Sequence, residues 1–261
     1  MDEGNDMTQA AHASVNGIDL YYEILGADRP GPPLVMLHGG MLTFHLSFDA
    51  LLPALTAERK VIGIELQGHG HTALGDRPFS IRQCAEDVIA LLDQLGIDQA
   101  DFLGYSLGGL VSADVAVVAP DRVGRLVVAA SHFRATRSEA YYPEITELDL
   151  DSPRMPTEEE SAAMVGAYEE AAPSTEDFFR SVGQVQPAVH DFEGWTDDEL
   201  ARLTMPVLII VGDTDFVRLE HAVEMKQLVP DAQLAILPGT THMRVIRPDL
   251  VLPMVTAFLR R

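Results

Sequence analysis

The chain contains a single cysteine, Cys84, so no disulfide can form within it, and a reducing compartment is the natural setting. Cys84 lies in an apolar helical stretch with Ile81, Val88 and Leu92, where a buried, inert thiol is expected rather than a second nucleophile. Basic residues are scarce as well: 18 Lys and Arg stand against 40 Asp and Glu, a formal net charge of -22. That much negative potential repels nucleic acids and anionic membranes, so neither is an expected partner, and a well-solvated acidic surface accounts for the imbalance. No apolar run reaches the length of a membrane span. The start, Met1-Asp2-Glu3-Gly4-Asn5-Asp6, is acidic and polar, the opposite of a signal peptide, so a cytoplasmic location is expected. There is no H-E-x-x-H, no cysteine pair and no closely spaced carboxylate–histidine cluster, so neither a metal nor a cofactor is expected.

What the chain does have is alternation. Its 261 residues, 47% hydrophobic, suit one α/β domain carrying an insertion. Residues 1–10 read as a disordered leader. A hairpin follows from His12 to Leu25, turning at Asn16-Gly17. Leu34-Val35-Met36-Leu37 is a fully apolar strand ending in His38-Gly39-Gly40, a helix is expected over Phe48–Leu55, and Val61-Ile62-Gly63-Ile64-Glu65 is the next strand. Ser80 caps a helix running to Leu95. Strands at Ala100–Leu103 and Arg125–Ala130 flank a helix from Leu110 to Ala119. The alternation then stops. Residues 132–195 mix aromatics and methionines with acidic runs, with helices expected around 157–171 and 174–185, and read as an inserted helical cap. Strand–helix order resumes with a capping box at Thr196–Glu199, a strand at Val207–Val211, a helix at 217–229, a strand at Gln233–Leu237 and a final helix near 250–260. The core is therefore expected at 11–131 and 196–261: a mostly parallel, twisted sheet with helices on both faces.

The chemistry concentrates at Gly104-Tyr105-Ser106-Leu107-Gly108, a G-x-S-x-G between a strand and a helix. A serine on so sharp a turn stands above the sheet edge, the glycines keep side chains out where strand and helix nearly touch, and the helix start aims free N–H groups at the site. Serine is a poor nucleophile without a base. Of the nine histidines, His242 sits on a turn after the last strand, and it is the candidate base. Asp213 and Asp215 both follow a buried strand, and either can orient an imidazole.

Four motifs in order, His38-Gly39-Gly40, the elbow, Gly212-Asp213-Thr214-Asp215 and Gly239-Thr240-Thr241-His242, make the chain resemble the α/β-hydrolase superfamily. The resemblance spans nearly everything outside residues 132–195. It implies a Ser106–His242–Asp215 triad, with Asp213 left as a loop-capping carboxylate, and oxyanion donors at the amides of Gly40 and Leu107. Substrate-pocket candidates are Gly39, Met41, His45, Tyr105, Phe133, Trp195 and Met243. Trp195 stands where the insertion returns to the sheet, as a pocket wall or a hinge. His69 and His71 are expected to be structural or pocket-lining. Superfamily members that open epoxides or cleave carbon–halogen bonds carry aspartate at the elbow, which Ser106 disfavours. Hydroxynitrile lyases add a lysine beside the substrate, and the only lysines here are Lys60 and Lys226.

The leading expectation is a serine hydrolase cleaving a small to medium apolar or aromatic carboxylic ester through an acyl-enzyme, acting as a monomer or homodimer on a small-molecule ester without a cofactor. A different reaction on the same triad is the first alternative: C–C bond hydrolysis, lactone opening or perhydrolysis. C–C hydrolysis requires an arginine for the substrate carboxylate, with Arg134, Arg137, Arg154 and Arg180 available in the insertion. A non-catalytic ligand receptor is the second alternative.

Overall fold

The computed structural model describes residues 8–134 and 140–260. Its framework is an eight-stranded sheet in the order β1-β2-β4-β3-β5-β6-β7-β8. The strands are β1 (Gln9–Val15), β2 (Ile18–Leu25), β3 (Leu34–Leu37), β4 (Val61–Ile64), β5 (Ala100–Tyr105), β6 (Val123–Ala129), β7 (Val207–Thr214) and β8 (Ala232–Thr241). β1 and β2 pair antiparallel, as do β2 and β4, and every pairing from β4–β3 to β7–β8 is parallel. The sequence dictates that split. β3, β4 and β5 are buried along their whole length, as a parallel strand covered on both faces must be, whereas β1 alternates exposed and buried positions. This is the α/β-hydrolase fold.

The strand order places the functional edge. From β3 the chain moves to β4 on one side, then returns across β3 to β5 on the other. The carboxyl ends of β3 and β5 therefore meet at the point where the winding reverses, the place where open α/β sheets bind ligands. α3 (Ile81–Gln94), capped by Ser80 accepting the Gln83 N–H, and α4 (Leu107–Val118) pack together on one face. The Pro248–Leu259 helix packs with β3's Leu34 and Met36 in the apolar cluster of the other face.

Three sequence expectations change. The leader expected over residues 1–10 overlaps β1, which begins at Gln9, paired with Ile24; residues 1–7 lie outside the described residues. The single helix over Phe48–Leu55 is instead two short ones, α1 (Phe44–Phe48) and α2 (Leu52–Thr56). Thr43 caps the first by accepting the Leu46 N–H, and Pro53, lacking an N–H, is tolerated only in the first turn of a new helix. Finally, β8 runs on to Thr241, held by its pairing with Thr214 of β7, which carries the strand to the doorstep of His242.

Between β6 and β7 the chain leaves the sheet. The helices Pro143–Thr146, Glu158–Ala171 and Phe178–His190 follow one another there. The two ends of this segment are zipped at their base: Arg134 bridges Gly194, and the Trp195 N–H donates to the Phe133 carbonyl at 3.3 Å.

Candidate active site

Ser106 takes φ 51° and ψ −114°, a left-handed conformation that non-glycine residues rarely hold. Its neighbours explain how that strain survives. A Cβ at Gly104 would lie 2.2 Å from the Gly108 carbonyl oxygen, and one at Gly108 would lie 2.0 Å from that of Leu37. Both are impossible contacts, so only glycine lets β5, α4 and β3 close on one another. The Gly108 N–H donates to the His38 carbonyl at 2.9 Å and the Ser106 N–H to that of Ala129 at 2.8 Å, pinning the turn from both sides.

His242 meets Ser106 from the end of β8. Its Nε2 lies 3.0 Å from Ser106 Oγ, and its Nδ1 lies 2.7 Å from Asp215 Oδ1. Asp215 is fully buried and also accepts the N–H groups of Gly212 and Val217, so its carboxylate is held by backbone as well as by the imidazole. Asp213 has a different task. It is exposed and accepts the N–H groups of Gly239 at 2.8 Å and Thr240 at 3.1 Å, bonds that hold its carboxyl below the usual carboxylate range. It fastens the turn that leads into His242 without touching the imidazole.

Two contacts at His242 escaped the sequence reading. Phe216 stacks on the imidazole at 3.9 Å between ring centres and 5° between planes, and the Tyr105 hydroxyl donates to the His242 carbonyl at 2.9 Å. An aromatic residue immediately after the acid was the available signal for the first.

The loop after β3 supplies the opposite wall. His38 is fully buried; its Nδ1 lies 2.8 Å from the Gly39 carbonyl oxygen, and its Nε2 accepts the Leu66 N–H at 3.0 Å. That pairing puts the proton on Nδ1 and keeps the ring neutral, and burial pushes its pKa down to about 3. The loop then turns through Met41 at φ 58°. Gly40 sits against Leu107, with a Cβ at Gly40 only 3.8 Å from that of Leu107. The two residues whose amides are the candidate oxyanion donors are thus neighbours beside Ser106.

These groups open into a cavity of about 200 Å³. Gly39, Gly40, Met41, Tyr105, Ser106, Leu107, His242 and Met243 line it from the sheet side. The inserted segment completes it with Tyr141, Ile145, Met155, Met164, Val185 and Val189 among others. The valines of the Phe178–His190 helix recur at helical spacing, the signal that would have found them.

Three pocket candidates lie elsewhere. His45 is not part of the lining; its Nε2 meets Glu23 at 3.0 Å and its Nδ1 meets Asp49 at 2.6 Å, contacts that raise its pKa to about 9. Phe133 is fully buried and packs edge-on against Trp195 at 5.6 Å. Trp195 donates its Nε1–H to Asp114 of α4 at 2.9 Å, so it anchors the base of the segment to α4 and is no part of the wall. The physical reason is common to both: an apolar ring at the base of an insertion is consumed in joining it to the sheet. Nor do His69 or His71 line the cavity: the His69 ring packs at a tilt against His38, and His71 binds Glu65.

A family model described as the Alpha/beta hydrolase family matches residues 34–253. The chain belongs to that family. Among curated relatives, this family member is 31% identical, over 95% of its own length and 69% of the other's, to the dihydrolipoyllysine-residue acetyltransferase component of the acetoin cleaving system of Pseudomonas putida. A solved hydrolase from Pseudomonas aeruginosa PA01 is 29% identical with TM-score 0.74, covering 99% of both chains. The enol-lactonase from Burkholderia xenovorans LB400 shares the fold, with TM-score 0.78 at 24% identity over 96% of this chain and 100% of that one. Among the described residues, no helix of this hydrolase-family chain is long and apolar enough to cross a membrane.

Proposed function

We propose that this α/β hydrolase is a carboxylic-ester hydrolase working through an acyl-enzyme on Ser106. The observation that carries the reading is the continuous relay Asp215–His242–Ser106, at 2.7 and 3.0 Å, facing a cavity walled by apolar side chains. In this reading Ser106 Oγ attacks the ester carbonyl carbon as His242 Nε2 takes its proton. Asp215 holds the imidazole with Nδ1–H toward itself and stabilises the imidazolium. The carbonyl oxygen, now carrying the negative charge, rests between the Gly40 and Leu107 amides. His242 then gives its proton to the departing alkoxide, which leaves as the alcohol. Water repeats the sequence on the acyl-enzyme, and the acid departs.

The inserted segment, residues 132–195, serves as the cap that selects the substrate. Its contribution to the wall is mostly methionine, valine, leucine and isoleucine with the Tyr141 ring, beside the polar Gln186 and His190, so substrates are held chiefly by apolar contact, each buried methylene adding about 0.8 kcal/mol until the cavity is full. Small to medium apolar or aromatic esters are the substrate class.

The alternative of C–C bond hydrolysis loses support at the arginines. Arg134 is paired with Asp197 and Glu224, Arg180 with Asp177, and Arg154 with the Asp215 carbonyl and the Tyr142 ring; Arg137 lies outside the described residues. No lysine or arginine is among the described lining residues to receive a substrate carboxylate. The test is a screen of the purified protein against p-nitrophenyl esters of graded length, a lactone panel and a ring-fission product. Fastest turnover of a short or medium ester supports the reading; turnover of the ring-fission product alone overturns it.

A further inference from the structure

The cavity that holds Ser106 has a neighbour. A second chamber of about 130 Å³ adjoins it, sharing Leu42, Tyr105, Met164 and Met243 as the dividing wall. Beyond that wall its lining is Leu46, Ser47, Ala163 and Ile246, with one charged residue, Glu160.

The position of this chamber assigns its content. Gly40 and Leu107 line only the larger cavity, and Gly40 faces Val185 there, so the oxyanion side belongs to that space. The smaller chamber is lined by neither Ser106 nor His242 and meets the larger cavity at Tyr105 and Met243, the residue next to His242. A leaving oxygen must come within hydrogen-bond reach of His242 Nε2 to be protonated, so the alcohol portion of the ester is the part aimed toward Met243. Methionine is the suitable partition there, because Met164 and Met243 can change rotamer and open a passage without leaving a void.

Glu160 gives the chamber its charge preference. Its Oε2 accepts the Thr157 N–H at 2.9 Å as half of a capping box, and it forms no ion pair among the described residues. A half-buried carboxylate with no basic neighbour in the lining, on a chain of net charge -22, favours a cation and repels an anion. Resting on the ester-hydrolase reading, we propose that this chamber receives the alcohol portion of the substrate and that Glu160 selects alcohols carrying a cationic group over neutral and, above all, anionic ones.

The test is kcat/KM at low salt for four butyrates: 3-(trimethylammonio)propyl, its neutral isostere 4,4-dimethylpentyl, the anionic 3-carboxypropyl, and methyl as reference. The expected order is cation, neutral, anion, with the cation-to-neutral ratio roughly fivefold and shrinking as salt is added. Glu160→Gln keeps the capping box, since an amide oxygen also accepts the Thr157 N–H, and brings that ratio to near one. Ala163→Phe fills the chamber and lowers the long esters relative to methyl butyrate. Equal rates for cation and anion in the wild type, or a ratio that Glu160→Gln leaves unchanged, overturn the inference. Turnover of none of the four esters counts against the ester-hydrolase reading instead. In that case methyl-labelled methionine spectra decide the chamber separately: 3-(trimethylammonio)propan-1-ol shifts Met164 and Met243 in the wild type and not in Ala163→Phe, and no shift overturns it.

Discussion

Arg154 donates from Nη1 to the backbone carbonyl of Asp215 at 2.7 Å, while its guanidinium lies 3.6 Å over the Tyr142 ring. A residue of the inserted segment thus grips the loop that carries Asp215, the acid of the proposed triad. Removing the guanidinium frees that loop, and small displacements of catalytic groups are costly in rate. Arg154→Ala is expected to lower kcat about tenfold, with Arg154→Lys intermediate because it restores one donor but no planar stack. Arg180→Ala, which removes contacts with Asp177 and the Gly75 carbonyl and none with the Asp215 loop, serves as the control. Equal kcat in Arg154→Ala and Arg180→Ala contradicts the clamp.

The two carboxylates of the β7 turn separate by role. Asp215→Asn removes the acceptor that fixes the imidazole tautomer and is expected to cost about four orders of magnitude in kcat. Asp213→Asn weakens the clasp on Gly239 and Thr240 and lowers kcat by less than about tenfold, its effect showing mainly in thermal stability. A reversed order in steady-state kinetics shows that Asp213 holds the base.

Trp195→Phe keeps the aromatic packing on Phe133 and Phe192 but leaves Asp114 without its indole donor. Asp114 retains its contacts with Arg82, so the expected loss is about 1–2 kcal/mol in urea unfolding. Because Trp195 lies outside the cavity, the preference of the enzyme across acyl chain lengths stays the same. A changed chain-length profile returns Trp195 to the pocket wall.

What the sequence made legible was whatever a local pattern forces. The apolar runs of β3, β4 and β5 can only be buried parallel strands, and Gly104 and Gly108 surround a serine because no side chain fits there. Asp215 and Asp213 were separable by resemblance alone, since both follow the same strand and the choice depends on which carboxylate the fold turns inward. Less legible was everything set by distant contact. His45, beside the β3 loop in sequence, is drawn to Glu23 of β2, and Trp195 is drawn to Asp114, eighty-one residues earlier. The cavity wall escaped for the same reason: Val185 and Val189 carry helical periodicity, which signals a buried face and says nothing of what it faces.

Three buried imidazoles make the fold sensitive to acid. Burial pushes His38 and His132 down to about 3 and His69 to about 4, from the usual 6.5. Each folded-state value is depressed, so between about pH 6.5 and 4 the unfolded chain takes up protons that the folded chain refuses, and stability falls as the pH falls. Each imidazole adds a slope of up to about 1.4 kcal/mol per pH unit in that window. Urea unfolding at pH 7.5, 6.0 and 5.0 is expected to show the decline. His69→Asn, whose amide can reproduce the Nδ1 contact with the Gln67 carbonyl, is expected to reduce the slope by about one proton. Stability that does not change over this range contradicts neutral burial of the three rings.

The central claim is that Ser106 is the acyl-accepting nucleophile and His242 its base. The most direct measurement is mass spectrometry after brief reaction with a fluorophosphonate, alongside kcat for the best ester. The account predicts one adduct per chain, on Ser106, in the wild type, a large fall in labelling rate in His242→Ala, no adduct in folded Ser106→Ala, and a kcat for that variant lower by at least about four orders of magnitude. An adduct on another residue, or substantial ester turnover by Ser106→Ala, contradicts it.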